Sequence, residues 1–180
     1  TGSRDSGMWL QREFNARQPF QKPVIAEMGS KNPVIVTLHA DIPAAVEGVV
    51  KSAFGYSGQK CSATSRVYVQ DKVAGEFLSL LRKRVESLVV GDPRKKETSL
   101  GPVIDAKVLQ AYQDAIFRTR QDNGKIITGG KVLSGDIFDN GHYLQPVVVT
   151  GLPFDHPLGK RELFVPFLLV FTFTTLEEDL

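Results

Sequence analysis

The order of the secondary structure is decided by residues 33–70, which read PVIVTLHADIPAAVEGVVKSAFGYSGQKCSATSRVYVQ. The β-branched run at 33–37 predicts a buried strand, and the run at 66–70 predicts a second strand. Between them Asp41 is a good N-cap and Pro43 suits the first turn of a helix. Apolar residues then follow at helical spacing, namely Val46, Val49, Val50, Ala53 and Phe54. The stretch therefore predicts strand, helix and strand in succession.

The same alternation continues on both sides of this stretch. Before it the sequence predicts a helix within residues 2–17 and a strand at 23–27. After it come two helices: one is capped by Asp71, stops at Gly91 and has Val73, Phe77, Leu80, Leu81 and Leu88 inward, and the other runs from the cap Asp105 to about Thr119. Strands are predicted at 125–128, 143–150 and 164–173, and a last helix begins at Leu176. Several of these strands are apolar on both faces. The pattern predicts an α/β layered domain with a largely parallel sheet and flanking helices.

Composition narrows the class of protein. A length of 180 residues suffices for one good core, or for one domain and part of another. The net charge of +2 is too balanced to favour nucleic acid or an anionic membrane as a partner. No apolar run approaches the ~20 residues of a membrane-spanning helix. A single cysteine leaves no internal disulfide, which fits a reducing, cytoplasmic location.

That single cysteine, Cys61, lies in a stretch suited to chemistry. Gly55 and Gly58 precede it, and the small residues Ser62, Ala63, Thr64 and Ser65 follow it. Backbone and substrate can approach a sulfur presented in this way, which makes Cys61 a candidate nucleophile. The alternative is that Cys61 is a small apolar residue packed in the core, as free cysteines commonly are.

A nucleophilic thiol needs a base and donors for the developing oxyanion. Glu27 ends an apolar run beside Gly29, and α/β folds place chemistry at such strand ends, where partial burial would raise the pKa of a carboxyl group. The alternative is a surface glutamate. Lys60 is expected to act on something other than its neighbour Cys61. The three histidines, His39, His142 and His156, are predicted to be solvated loop residues, although a Cys–His pair stays open; their spacing indicates no metal site.

Two motifs now carry a resemblance. Residues 27–32, Glu-Met-Gly-Ser-Lys-Asn, and residues 58–63, Gly-Gln-Lys-Cys-Ser-Ala, resemble the paired active-site signatures of the aldehyde dehydrogenase superfamily. The separation of 34 positions between Glu27 and Cys61 is also that of the family. The Ser-Lys-Asn-Pro and Gly-Gln-Lys-Cys-Ser-Ala sequences are most similar to its 1-pyrroline-5-carboxylate dehydrogenases. The resemblance implies a catalytic-domain-like layered sheet.

The resemblance also implies a mechanism and a cofactor, NAD or NADP. Cys61 would form a thioester with a small aldehyde, glutamate semialdehyde, Glu27 would activate the hydrolytic water, and Ser62 would lie near the substrate carboxylate. Residues 1–7 resemble the turn and helix that receive the cofactor pyrophosphate, through Gly2, Ser3 and Gly7. Residues 162–166 resemble the Glu-x-Phe-Gly-Pro motif, whose glutamate holds the nicotinamide ribose, here Glu162 with Phe164. Val165 stands where that motif has glycine, and its side chain is expected to crowd the ribose site.

The resemblance covers a segment of the family's longer chain. It implies that residues 1–20 are a remnant of the dinucleotide-binding domain and that residues 21–180 are the thiol-bearing catalytic domain, truncated at its C-terminus. The implied partners are a second copy of the chain or the missing cofactor domain. The alternative is a free-standing truncated relative without dehydrogenase activity, acting as a residual thiol esterase or as an interaction protein.

Overall fold

The computed structural model describes residues 1–20 and 22–176, with Asn15 described by its backbone alone. The chain divides into two compact units, Thr1–Ser30 and Lys31–Leu180, which are taken separately below. The resemblance implies a different boundary, after residue 20, between a remnant of a dinucleotide-binding domain and a catalytic domain, and that boundary stays a prediction.

The first unit is built on one helix, α1 (Arg4–Ala16). The Oγ of Ser3 accepts a hydrogen bond from the Ser6 N–H at 3.2 Å, and Ser3 is thereby the N-cap residue of the helix. The predicted strand at 23–27 is wrong, because residues 22–30 form no strand ladder with any other described residue. The backbone is instead tied by one hydrogen bond, from the N–H of Gly2 to the carbonyl of Glu27 at 3.0 Å.

The second unit contains the sheet. Its strands are β1 (Asn32–Val36), β2 (Thr64–Gln70), β3 (Lys125–Thr128), β4 (Val147–Thr150) and β5 (Phe167–Phe173). They lie side by side in the order β1-β2-β5-β4-β3. Every neighbouring pair is parallel except β3 and β4, which run antiparallel. The predicted α/β fold is thereby confirmed, with a mixed, largely parallel sheet.

Helices cover both faces of this sheet. They are α2 (Ile42–Phe54), α3 (Asp71–Glu86), α4 (Ala106–Gln121) and the short α5 (Pro157–Lys160), with 3₁₀ turns at Gly55–Gly58 and Asp136–Asn140. The side chains of a strand point alternately to the two faces. In β5, Leu168 and Val170 pack with α2 and α3, whereas Leu169 and Phe171 pack with the core that contains Tyr112 of α4. This two-sided burial explains why the central strands are apolar throughout.

Element ends differ from the predictions where tertiary contacts intervene. Gln70 rather than Asp71 is the N-cap residue of α3, and that helix ends at Glu86. β4 begins at Val147 because the backbone of the preceding residues pairs with residues 131–133. β5 begins at Phe167, three residues after Phe164, whose φ of 58° lies in the left-handed region and interrupts the extended backbone predicted there.

The predicted buried strand at 33–37 is an edge strand. Among the strands of the described residues β1 pairs only with β2, and Ile35 is 50% exposed. The helix predicted to begin at Leu176 lies, apart from that first residue, outside the described residues. Among residues 1–20 and 22–176, no helix combines the length and apolar character needed to cross a bilayer.

Substituting Tyr112 by Phe tests the packing of α4. The Tyr112 hydroxyl donates to the carbonyl of Gln145 at 2.6 Å within the core, so its removal leaves that carbonyl without this donor. We expect the free energy of unfolding at pH 7 to fall by about 1–2 kcal/mol in urea titrations. Tyr56→Phe, at a residue that is 77% exposed, is the matched control and should change it by less than about 0.5 kcal/mol.

Burial also raises the pKa of Tyr112. The unfolded chain then loses this phenol proton at a lower pH than the folded chain, so the wild type loses stability as the pH rises above the ordinary tyrosine pKa of about 10. The difference in free energy of unfolding between the wild type and Tyr112→Phe should therefore become smaller above that pH. A difference that widens there would contradict the assignment.

Candidate functional site

The backbone that leads to Cys61 has an uncommon conformation. After α2 ends at Phe54, Tyr56, Ser57 and Gly58 have φ values of 54°, 56° and 72°. Each non-glycine residue in this left-handed region costs roughly 1–2 kcal/mol. Such a turn persists only where the surroundings determine it, and it carries the chain directly to the exposed thiol of Cys61.

Two segments hold this turn from outside. The Ser57 Oγ donates to the carbonyl of Gly101 at 2.8 Å, and the Gln59 Oε1 accepts from the N–H of Ile104 at 3.0 Å. On another side Gly58 lies against the backbone of Val165, so closely that a Cβ at position 58 would come within 2.5 Å of the Val165 oxygen. The Cys61 turn and the 162–166 segment are thus in direct contact.

Asn32, the last residue of the 27–32 motif, makes contacts that the sequence did not predict. It is the first residue of β1, and its Nδ2 donates to the carbonyls of Cys61 at 2.8 Å and Ala63 at 3.1 Å. One side-chain amide therefore ties the edge of the sheet to the residues on both sides of Ser62. The sequence contained one usable signal, an asparagine directly before a predicted strand.

The site lies at the amino ends of three parallel strands. Asn32 opens β1 and is paired with Thr64, which opens β2, while residues 162–166 lead into β5. Since the three strands are parallel neighbours, the segments before them meet at the same end of the sheet, beside the amino ends of these strands. The general rule that α/β folds place chemistry at the carboxyl ends of strands does not hold for this thiol.

Charged groups gather at the same edge. Lys31 is half-buried, and burial together with the positive charge of Arg66 lowers the pKa of Lys31 to about 8, against the opposing influence of the Glu162 carboxylate. The Arg66 Nε donates to the carbonyl of Lys31 at 3.0 Å. Glu162 is half-buried and Phe164 is 38% exposed. Val165 is buried in the core, and the expected crowding of the ribose site by its side chain stays a prediction.

Lys60 and the histidines have other structural roles. The Lys60 Nζ lies 4.6 Å from the centroid of the Tyr56 ring, a cation–π contact. His156 is buried, against the predicted solvated loop; its Nδ1 accepts from the Leu158 N–H at 3.2 Å and its Nε2 is 2.8 Å from the Asp122 carboxylate. The hydrogen bond with His156 is the main reason that the pKa of Asp122 is lowered. With both ring nitrogens engaged, His156 is not placed to act as the base for Cys61.

The remaining histidines contribute no cluster. His39 is exposed and His142 is half-buried. Within residues 1–20 and 22–176, no group of three or more His, Cys, Asp or Glu side chains is arranged to hold a metal ion.

The first unit contains Gly2, Ser3, Gly7 and Glu27. The hydrogen bond between Gly2 and the Glu27 carbonyl places the start of the chain beside this glutamate. Gly7 is buried, and a Cβ there would meet the Met28 sulfur at 2.7 Å, so α1 packs closely on residue 28. The Glu27 side chain is exposed, so the partial burial expected for it is not supplied by residues of this unit. Cys61, Ser62, Glu162 and Phe164 all belong to the second unit, and Cys61 and Ser62 are both exposed.

Known proteins resemble this chain along its whole length. The sequence profile of the aldehyde dehydrogenase family matches residues 1–180. The α-ketoglutaric semialdehyde dehydrogenase of Bacillus subtilis is 34% identical over 154 residues, covering 86% of this chain and 32% of the relative. The 1-pyrroline-5-carboxylate dehydrogenase of Bacillus cytotoxicus is 37% identical over 169 residues, covering 92% of this chain and 32% of the relative.

Solved structures agree. The 1-pyrroline-5-carboxylate dehydrogenase from Thermus with bound NAD superposes with a TM-score of 0.87 at 32% identity, covering 99% of this chain and 34% of that one. The betaine aldehyde dehydrogenase of Staphylococcus aureus in complex with NAD+ gives a TM-score of 0.91 at 27% identity, covering 99% and 35%. The chain thus spans about a third of the length of the relatives it matches.

Asn32→Asp tests the tether at Cys61. A carboxylate cannot donate a hydrogen bond, and it would face two carbonyl oxygens, so Asn32→Asp should destabilise the fold more than Asn32→Ala. We expect a loss of about 1–2 kcal/mol for the alanine variant, and a larger loss for the aspartate variant, in urea unfolding at pH 7.

Asn140 is exposed and supplies the matched control, since Asn140→Asp should leave the free energy of unfolding almost unchanged. If Asn32→Asp were as stable as Asn32→Ala, the amide would not be donating to these carbonyls. Acidification below the ordinary aspartate pKa of about 4 should narrow the gap between the two variants, because a protonated carboxyl group can donate one hydrogen bond.

Proposed function

Because this chain belongs to the aldehyde dehydrogenase family, we propose that it carries the thiol chemistry for oxidising glutamate semialdehyde, the open form of 1-pyrroline-5-carboxylate, to glutamate. It would do so as part of a longer or split enzyme. The observation that carries the proposal is the exposed Cys61 thiol on a turn tethered through Asn32, Ser57 and Gln59. The 37% identity to 1-pyrroline-5-carboxylate dehydrogenases supports this choice of aldehyde.

In this proposal Cys61 acts as the nucleophile. Its thiolate forms a C–S bond with the aldehyde carbon while the carbonyl electron pair moves to oxygen, and the Cys61 backbone N–H is one donor to that oxyanion. NAD or NADP, when bound, supplies the acceptor for the hydride that must leave this adduct to give a thioester. The exposed Ser62 lies next in the chain, where its hydroxyl can contact a substrate carboxylate.

Glu27 is the proposed base for hydrolysis. Its carboxylate removes a proton from water as the water oxygen attacks the thioester carbon, and the C–S bond breaks to release the acid and the Cys61 thiolate. An exposed side chain leaves Glu27 accessible to water. We place this role on the motif that the residue shares with the family, since Glu27 and Cys61 belong to different units.

The residues present fit part of a dinucleotide. The N-terminus of α1 attracts anions through its helix dipole, Arg4 adds a positive charge, and Gly2 has open space around its Cα for a close approach. Asp5 in the same turn opposes this attraction. In the second unit the Glu162 carboxylate can accept hydrogen bonds from ribose hydroxyls. The N-terminus of α1 with Gly2 and Arg4 would hold the pyrophosphate, and Glu162 would hold the ribose.

The alternative is a truncated relative that acts as a residual thiol esterase or as an interaction protein. One feature of the first unit favours an interaction role. Trp9, Leu10 and Phe14 of α1 are 56%, 42% and 36% exposed. Leu10 and Phe14 are four positions apart and so lie on one face of the helix, and an apolar patch there favours contact with another chain or domain. A second copy of the chain or a separate cofactor domain would fit there.

Ester hydrolysis tests the thiol proposal without a hydride acceptor. We expect the chain to hydrolyse an activated ester such as p-nitrophenyl acetate, and Cys61→Ser to lower this rate by about 10²-fold or more. Glu27→Gln should show a rapid first turnover and then accumulate an acyl group on Cys61, detected by mass spectrometry. NADH and NADPH formation from glutamate semialdehyde is measured in parallel.

Glu97→Gln, at another exposed glutamate, is the matched control and should behave like the wild type. Hydrolysis that survives Cys61→Ser would remove the thiol from the mechanism, and steady turnover by Glu27→Gln would remove the base. Hydrolysis without NAD(P)H formation would favour the esterase alternative for the isolated chain.

A further inference from the structure

Ser57 connects the turn before Cys61 to a segment that lies 44 residues further along the chain. Its side chain is 3% exposed, and its Oγ donates to the carbonyl of Gly101 at 2.8 Å. Its φ of 56° lies in the left-handed region, which a residue with a side chain adopts at a cost. Two residues later the Gln59 Oε1 accepts from the N–H of Ile104 at 3.0 Å. The turn is therefore fastened to the distant segment at two points.

Residues 99–104, the support segment, are themselves held in place. The Leu100 N–H donates to the carbonyl of Val89 at 3.1 Å, and the Val103 N–H donates to the carbonyl of His142 at 2.8 Å. Leu100 is buried in the core on one face of the sheet, and Val103 is buried in the core on the other face. The support segment is thus anchored on both sides and cannot follow the turn if the turn moves.

We propose that Ser57 is a positioning residue, whose hydrogen bond to Gly101 holds the left-handed turn in place and thereby fixes the position of the Cys61 thiol. Ser57 acts through the backbone between it and Cys61. This role deepens the proposed thiol function and rests on it where ester hydrolysis is concerned. Neither of the two sequence motifs that resemble the family's signatures contains Ser57, since they cover residues 27–32 and 58–63.

The hydrogen bond matters because the turn has an alternative. Without its support Ser57 can return from a φ of 56° to the ordinary negative region, a rotation of more than about 100° about one bond. That rotation occurs four residues before Cys61 and moves the thiol and the Cys61 backbone N–H together. A displacement of about 1 Å in a reacting group can lower a rate by about 10²-fold. Loss of one hydroxyl group is therefore expected to slow the chemistry of a thiol that it does not touch.

Two substitutions separate the hydrogen bond from the backbone strain. Ser57→Ala removes the hydroxyl and keeps a side chain in the left-handed region, so the strain stays and the support is lost. Ser57→Gly also removes the hydroxyl, but glycine adopts this φ freely. We expect the thermal midpoint of Ser57→Gly to lie about 2–4 °C above that of Ser57→Ala. If Ser57 only stabilised the fold, activity would follow the same order.

Ester hydrolysis shows whether activity follows stability. With p-nitrophenyl acetate, at a temperature at which every variant is folded, we expect kcat/KM to fall about tenfold or more in both Ser57→Ala and Ser57→Gly. Alkylation by iodoacetamide requires a thiolate and no fixed position, and Cys61 is the only cysteine in the chain. Its rate should change by less than about threefold. A Ser57→Gly variant that hydrolyses the ester like the wild type would overturn the positioning role.

Hydrogen exchange, followed by NMR, gives a readout that does not depend on activity. The Ile104 N–H donates to the Gln59 side chain, so its exchange rate reports whether the turn stays on the support segment. We expect this amide to exchange at least about tenfold faster in both variants of Ser57, while the amides of β5 keep their wild-type protection. Unchanged exchange at Ile104 in both variants would overturn the proposal.

Ser87→Ala is the matched control, because the exposed Ser87 also donates its hydroxyl to a carbonyl, that of Arg84 at 2.7 Å, at the end of α3. It should leave both the kcat/KM and the Ile104 exchange rate at their wild-type values. Faster exchange with unchanged hydrolysis in the Ser57 variants would also overturn the positioning role. If the wild type hydrolyses no ester, the thiol function fails; faster exchange at Ile104 would then still support Ser57 as the residue that fixes the turn.

Discussion

The thiol site depends on one constraint, a backbone that turns through three successive left-handed residues before it reaches Cys61. Tyr56 and Ser57 have no intrinsic preference for that conformation, and each costs roughly 1–2 kcal/mol there. The hydrogen bonds from Ser57 to Gly101 and from Ile104 to Gln59 offset this cost at about 1 kcal/mol each. Only glycine fits at position 58, because the Val165 backbone occupies the space of a side chain. The exposed thiol is therefore presented by a strained turn with specific supports.

The sheet explains why these supports meet. β1, β2 and β5 are parallel neighbours, so the segments that precede them emerge at one edge. Lys31 precedes β1, Cys61 precedes β2 and Glu162 precedes β5, and residues distant in the chain become neighbours through strand order alone. Burial of β2 and β5 on both faces fixes this register, since a one-residue slip would exchange the side chains of the two cores.

Much of the fold could be predicted from sequence because its signals are local. Asp41 and Asp105 cap their helices as predicted, and the apolar spacing of α2 identified its buried face. The failures required tertiary information. A strand at 23–27 needs a ladder of backbone hydrogen bonds, which residues 22–30 do not form with the described residues. The burial of His156 goes with two contacts that its sequence context does not show, because its Nδ1 accepts from the Leu158 N–H of α5 and its Nε2 lies beside the Asp122 carboxylate. Asn32 likewise gained its role from carbonyls that lie 29 and 31 residues away in the chain.

Lys31 and Lys60 both lie near the amino ends of the strands, but their side chains have different surroundings. Lys31 directly precedes Asn32, whose side chain donates to the carbonyls of Cys61 and Ala63, and Lys60 directly precedes Cys61. Lys60 is exposed, and its ammonium lies over the face of the Tyr56 ring, which attracts a cation. Lys31 is half-buried beside a guanidinium that repels a cation, with a single carboxylate to compensate. Residue type therefore does not distinguish the two lysines. The pairing of β1 with β2 brings Arg66 to the carbonyl of Lys31, whereas the left-handed turn itself brings the Tyr56 ring to Lys60.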